Sequence, residues 1–91
     1  MRTVVVEVTA EDIAKGKRED CESCPIACAL LRAAGTPRAF IDGNEMAAGD
    51  WDGVFPLVEQ RVPVPPDAAG FIADFDDGRL VKPFTFTVEL P

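Results

Sequence analysis

The sequence predicts an α+β domain: a small, mainly antiparallel sheet of four to five strands with two helices on one face. Three observations predict it. Segments near both ends alternate apolar and polar side chains with period two, as half-buried strands do. Two other segments carry apolar residues at helical spacing between an opening Pro and a closing Gly. The order strand, helix, strand, strand, helix, strand gives a mixed layer architecture, and a split βαβ arrangement also fits it.

In chain order, residues 2–8 place Val4, Val6 and Val8 on one side and Thr3, Val5 and Glu7 on the other, which predicts a strand. Thr9 and Asp12 stand in capping-box spacing, and Gly16 closes a single helical turn. Residues 15–22 form a polar connection. The nearly all-apolar run 25–34 starts at Pro25 and ends before Gly35, predicting a helix with Arg32 as its only charge. Residues 37–42 read as a second strand ending in the turn signal Asp42-Gly43-Asn44. Segments 45–48 and 53–62 read as further strands around the Gly49-Asp50-Trp51-Asp52-Gly53 loop, with Pro56 and Pro63 marking strand ends or an edge. A second helix is expected over 66–77, where Ala68, Phe71, Ile72 and Phe75 recur at helical spacing. A last strand follows Lys82-Pro83, with Phe84, Phe86, Val88 and Leu90 alternating against Thr85, Thr87 and Glu89.

At 91 residues and 47% hydrophobic, the chain is expected to form a single small domain, 1–91. Its opening residues lack the apolar stretch of a signal peptide and nothing reaches the length of a membrane span, so the expected compartment is the cytosol, with reduced thiols. The net charge of −7 disfavours direct nucleic-acid binding and anionic membranes, while leaving open an acidic mimic of a nucleic-acid backbone. There is no His and no Tyr, and Ser23 is the only Ser. A serine-hydrolase or Cys-His arrangement cannot be assembled from one copy, and the expectation is a protein that is not an enzyme.

The run Cys21-x-x-Cys24-x-x-x-Cys28 gathers three thiols at the start of the first long helix. A helix N-terminus favours a thiolate, but Glu19, Asp20 and Glu22 oppose it. Three thiols fall one short of a four-thiolate zinc site or an iron–sulfur cluster. The leading expectation is small, mostly buried packing residues without a cofactor. A zinc-stapled or thiol-active module using Cys21 and Cys24, with Cys28 as a third ligand, is the alternative.

The pieces Thr9…Ile13…Gly16, Cys21-x-x-Cys24-Pro25-Ile26-Ala27-x-Ala29, Pro65…Ala68…Phe71-Ile72…Phe75-Asp76-x-Gly78 and Val81-x-Pro83-Phe84-x-Phe86 span nearly the whole chain. In them the chain resembles a family of small, mostly uncharacterised proteins from phages and prophages of actinobacteria and related hosts. Cys28 lies outside that pattern. The resemblance implies a phage-type accessory protein and carries no catalytic residues over.

The expected function is therefore non-enzymatic: binding a host protein or a small metabolite, with antagonism of host machinery or defence as the plausible outcome. Candidate contact residues are Trp51, Arg32, Arg38 and the basic cluster Lys15, Lys17 and Arg18. Trp51 reads either as an exposed stacking ring or as a ring folded over the core edge with its N–H satisfied. One face of the apolar helix, with Ala27, Leu31 and Ala34, is a candidate surface for a partner or for a second copy in a homodimer. Asp74-Phe75-Asp76-Asp77-Gly78 lacks the ligand spacing of a calcium loop and reads as a solvated helix end.

Overall fold

A computed structural model describes residues 2–91. Strand β1 (Arg2–Val8) buries Val4, Val6 and Val8 and pairs antiparallel along its full length with the last strand, β5 (Phe84–Leu90). The register sets Val4 opposite Val88 and Val6 opposite Phe86, so both strands turn their apolar sets to the same face.

After β1, Thr9 caps helix α1 (Ala10–Lys15): the Asp12 amide donates to the Thr9 hydroxyl at 3.2 Å, and the Thr9 amide donates to the Asp12 carboxylate at 2.9 Å. Gly16 ends the helix where Pro25 crosses it. A Cβ at position 16 would lie 2.4 Å from the Pro25 ring, so close approach, not backbone conformation, selects glycine there.

Helix α2 (Pro25–Ala34) is the centre of the molecule. It packs on β1, on α1 and on the hairpin of β2 (Arg38–Ile41) and β3 (Glu45–Gly49). Pro25, Ile26, Ala27, Ala29, Leu30 and Ala34 are buried, and Gly35 closes the helix in the left-handed conformation at φ 67°. The β2–β3 turn is held by the Asp42 carboxylate, which accepts from the amides of Asn44 and Glu45 at 2.7 Å each. Strand β4 (Val62–Pro63) adds two residues to the free edge of β3. Helix α3 (Pro66–Asp76) buries Ala68 and Phe71, and Phe71 stacks on Phe84 with ring centroids 5.0 Å apart.

The α+β class and the antiparallel pairing are as expected. Two details differ. The five strands divide into two sheets, β1–β5 and β2–β3–β4, in place of one, with no split βαβ unit, because α2 lies between them and contacts both. Most of the expected strand 53–62 is absent. Pro56 has no amide to donate, the Val58–Gln60 segment turns into a 3₁₀ helix, and only Val62 and Pro63 join the ladder. No helix among the described residues is long and apolar enough to cross a membrane.

Candidate docking loop and groove

The three thiols sit in three different environments. Cys24 is the N-cap of α2, its sulfur accepting from the Ala27 amide at 3.4 Å, and burial pushes its thiol up to about 11. Cys28 donates to the Ser23 carbonyl at 3.8 Å, and burial followed by the Asp12 charge raises its pKa. Cys21 packs against the small cluster of Phe40, Ala47 and Trp51, and burial together with the charges of Asp42 and Asp20 raises it as well. In all three the surroundings favour the neutral thiol over the thiolate. Among the described residues no group of three or more Cys, Asp or Glu is placed to hold a metal ion.

Two of the three arginines named from the sequence, Arg32 and Arg38, are spent on the fold. Arg32 spans from α2 to α1 and donates two parallel hydrogen bonds to the Asp12 carboxylate, at 2.9 and 2.8 Å, and a third to the Glu7 carbonyl at 2.8 Å. The Arg32 guanidinium, with the Thr9 bonds after it, holds the buried Asp12 carboxyl down at about 2. Arg38 donates to the carbonyls of Trp51 at 3.0 Å and Gly53 at 2.6 Å, pairs with Glu22, and lies 4.8 Å from the centre of the Trp51 ring. Lys15 pairs with Glu11 at 2.6 Å on the α1 surface. Lys17 is exposed, and the Arg18 guanidinium lies over Gly78 at the end of α3.

Trp51 is only 6% exposed, which corrects the reading of an exposed stacking ring. Its ring does fold over the core edge, but its indole N–H is buried with no acceptor among the described residues, contrary to the satisfied N–H expected. The α2 face corrects likewise: Ala27 and Ala34 are covered inside the chain, and Leu31 alone on that face is partly exposed, at 39%.

What the sequence reading missed lies between Trp51 and β4. Val54, Phe55, Leu57 and Val58 all face water, Phe55 at 62% and Val58 at 74% exposure. The segment is nevertheless fixed at its base. Pro56 is fully buried, and its carbonyl accepts two bonds from Arg61 at 3.1 and 2.8 Å. The Leu57 amide donates to the Gln60 side chain at 3.0 Å, and that side chain donates in turn to the Asp50 carbonyl at 3.0 Å. Arg38 clamps Trp51 and Gly53 from the other side.

Phe55 meets the buried Phe40 edge-on, with centroids 5.8 Å apart, and the two rings with Val54 floor a groove of about 360 Å³. Glu19, Asp20 and Glu22 form its opposite lip. Glu19 has φ 56°, a strained left-handed value for a residue with a side chain, held by its amide's 2.9 Å bond to the Asp76 carboxylate. The signal for this loop was present: a consecutive apolar run interrupted by Pro56 does not alternate as a strand does.

Comparison with protein-family models, with curated proteins and with solved structures finds no match to this chain.

Proposed function

We propose that this is a non-catalytic binding protein that docks on another protein through the 54–58 loop. The observation that carries this reading is a contradiction within that loop. Its backbone is tied down by side-chain hydrogen bonds from Arg38, Gln60 and Arg61, yet its large apolar side chains point into water. A surface loop without a partner gains stability by turning such side chains inward. One fixed with them outward pre-organises an interface, lowering the ordering cost of association.

The thiols, Arg32, Arg38 and the buried Asp12 are engaged in holding the fold, and of the exposed large apolar side chains Val5 and Leu80 stand singly, whereas Val54, Phe55, Leu57 and Val58 gather in one loop. Five surface grooves of about 250 to 490 Å³ lie open to solvent, which favours a protein over a small metabolite as the occupant. The resemblance to phage and prophage accessory proteins points to a host protein as that partner.

The test is a photocrosslinker placed at Phe55 and, as control, at exposed Thr85 on the outer face of β5, in cells of an actinobacterial host. The expected result is one discrete adduct from position 55 and none from position 85. The adduct's protein, purified separately, should form a stoichiometric complex with the wild-type chain and none with the Phe55→Ser variant. Equal labelling from both positions, or a complex indifferent to Phe55→Ser, would overturn the proposal.

A further inference from the structure

The charges around the loop specify the chemistry of what docks there. From residue 50 to residue 60 the chain carries Asp50, Asp52 and Glu59 and no Lys or Arg. Across the groove, Glu19, Asp20 and Glu22 add three more carboxylates. Of the neighbouring cations, Arg38 is committed to two carbonyls and Glu22, and Arg61 to the Pro56 carbonyl and, at 3.7 Å, to Glu45, while Lys17 and Arg18, next to Glu19 in the chain, are exposed and in no ion pair among the described residues, so six carboxylates face two uncommitted cations. The result is an apolar patch with carboxylates lining its groove and flanking its loop, most of them unanswered, on a chain whose net charge is already −7. A second copy of the chain would set these carboxylates against each other, so charge rejects self-docking here. An apolar side chain flanked by cations satisfies both halves of the surface, because its anchor is desolvated in the groove while its charges meet the rim.

We infer that the occupant of the 54–58 loop and its groove is a cationic protein segment: an aromatic or long aliphatic anchor seated against Phe40, Val54 and Phe55, with Lys or Arg on both sides facing Glu19, Asp20, Asp52 and Glu59. This rests on the docking reading above and specifies its partner. The side chains of Glu19, Asp52 and Glu59 are exposed and enter none of the hydrogen bonds found among the described residues, so they are free to meet incoming charge.

The experiment selects a random dodecapeptide display library on the full chain at low salt, then titrates individual enriched peptides by fluorescence anisotropy. Three variants are compared with the wild type: Phe55→Ser, Val58→Ser, and the charge variant Glu19→Gln/Asp52→Asn/Glu59→Gln, each first shown to unfold cooperatively. The inference expects enriched sequences with an aromatic or aliphatic residue between basic ones. Their affinity should fall at least about tenfold in the charge variant and with added salt, and by a similar factor in Phe55→Ser. Enrichment of neutral or acidic peptides that still depend on Phe55 overturns the cationic partner and leaves the docking reading standing. Peptides indifferent to both Phe55→Ser and Val58→Ser, or no enrichment at all, overturn the two together.

Discussion

The α1–α2 seam and the 51–60 loop use the same device to opposite ends. In each, an arginine reaches from a regular element to a backbone carbonyl of a neighbouring segment: Arg32 to Glu7, Arg38 to Trp51 and Gly53. At the seam this closes the structure. Arg32 also neutralises the buried Asp12, Asp12 completes the capping box that Thr9 opens, and the apolar side chains beneath are out of water. At the loop the clamp holds the chain open, with Phe55 and Val58 in solvent and a buried indole N–H that has no acceptor among the described residues. Polar bonding of a loop therefore does not reveal whether it serves stability. The direction of the apolar side chains does.

The comparison predicts that stability and binding separate by region. The largest loss of stability is expected in the core under the seam. Leu30 is fully buried at the centre of α2, and Leu30→Ala removes its packing against the cluster that unites both sheets. A loss of about 2–5 kcal/mol, read from the shift of the denaturant midpoint, is expected. The fraction that remains folded should bind the enriched peptides with unchanged affinity. A matching loss of intrinsic affinity would mean that the loop is not independently held.

The next effect is at Asp12. Its carboxyl, ordinarily near 3.8, is held at about 2, first by the Arg32 hydrogen bonds. Because the folded value is depressed, the stabilisation is complete above about pH 4 and drains away as the pH falls toward 2. With Arg32 half exposed, the contribution is roughly 1–2 kcal/mol. Thermal unfolding followed from pH 5 to pH 2 should show this loss in the wild type and a flatter profile in Asp12→Asn. Identical profiles would remove the seam's electrostatic role.

Much of the seam was legible in the sequence. Pro25 and Gly35 bound α2 because one lacks the amide a first turn leaves unpaired and the other accepts positive φ, and both signals are local. The Thr9–Asp12 capping box spans three residues and was legible for the same reason. The Arg32–Asp12 pair joins residues twenty apart, and no local pattern encodes it. The division into two sheets depends on α2 lying between them, a fact of packing. Val54, Phe55, Leu57 and Val58 were read as a strand because their composition is that of a buried strand. What turns them outward is the burial of Pro56 and the reach of Arg61 and Gln60 to backbone atoms, which composition does not carry.

The thiols test how tightly the start of α2 is held. Cys24 is buried, with its thiol raised to about 11 from about 9, so the neutral form is favoured in the folded state. A raised value means that this stabilisation is whole below about pH 9 and is lost as the pH rises toward 11. Ellman titration of the native protein at pH 8 should find Cys24 unreactive and the partly exposed Cys21 and Cys28 slow, with all three reacting at once in denaturant. Fast native labelling of Cys24 would show that the start of α2 opens readily.

The smallest expected effect on stability is the most telling. Val58 is 74% exposed and Leu57 is 55% exposed, so Leu57→Ser and Val58→Ser should each change unfolding free energy by no more than about 0.5 kcal/mol. Phe55→Ser should cost slightly more, up to about 1 kcal/mol, because it gives up the edge-on contact with Phe40. A loop whose apolar residues served the core would lose several times as much. If these substitutions leave the midpoint in place while abolishing association, the apolar side chains contribute to the complex and not to the monomer. If they unfold the chain, the loop belongs with the seam, and the contrast between the two regions fails.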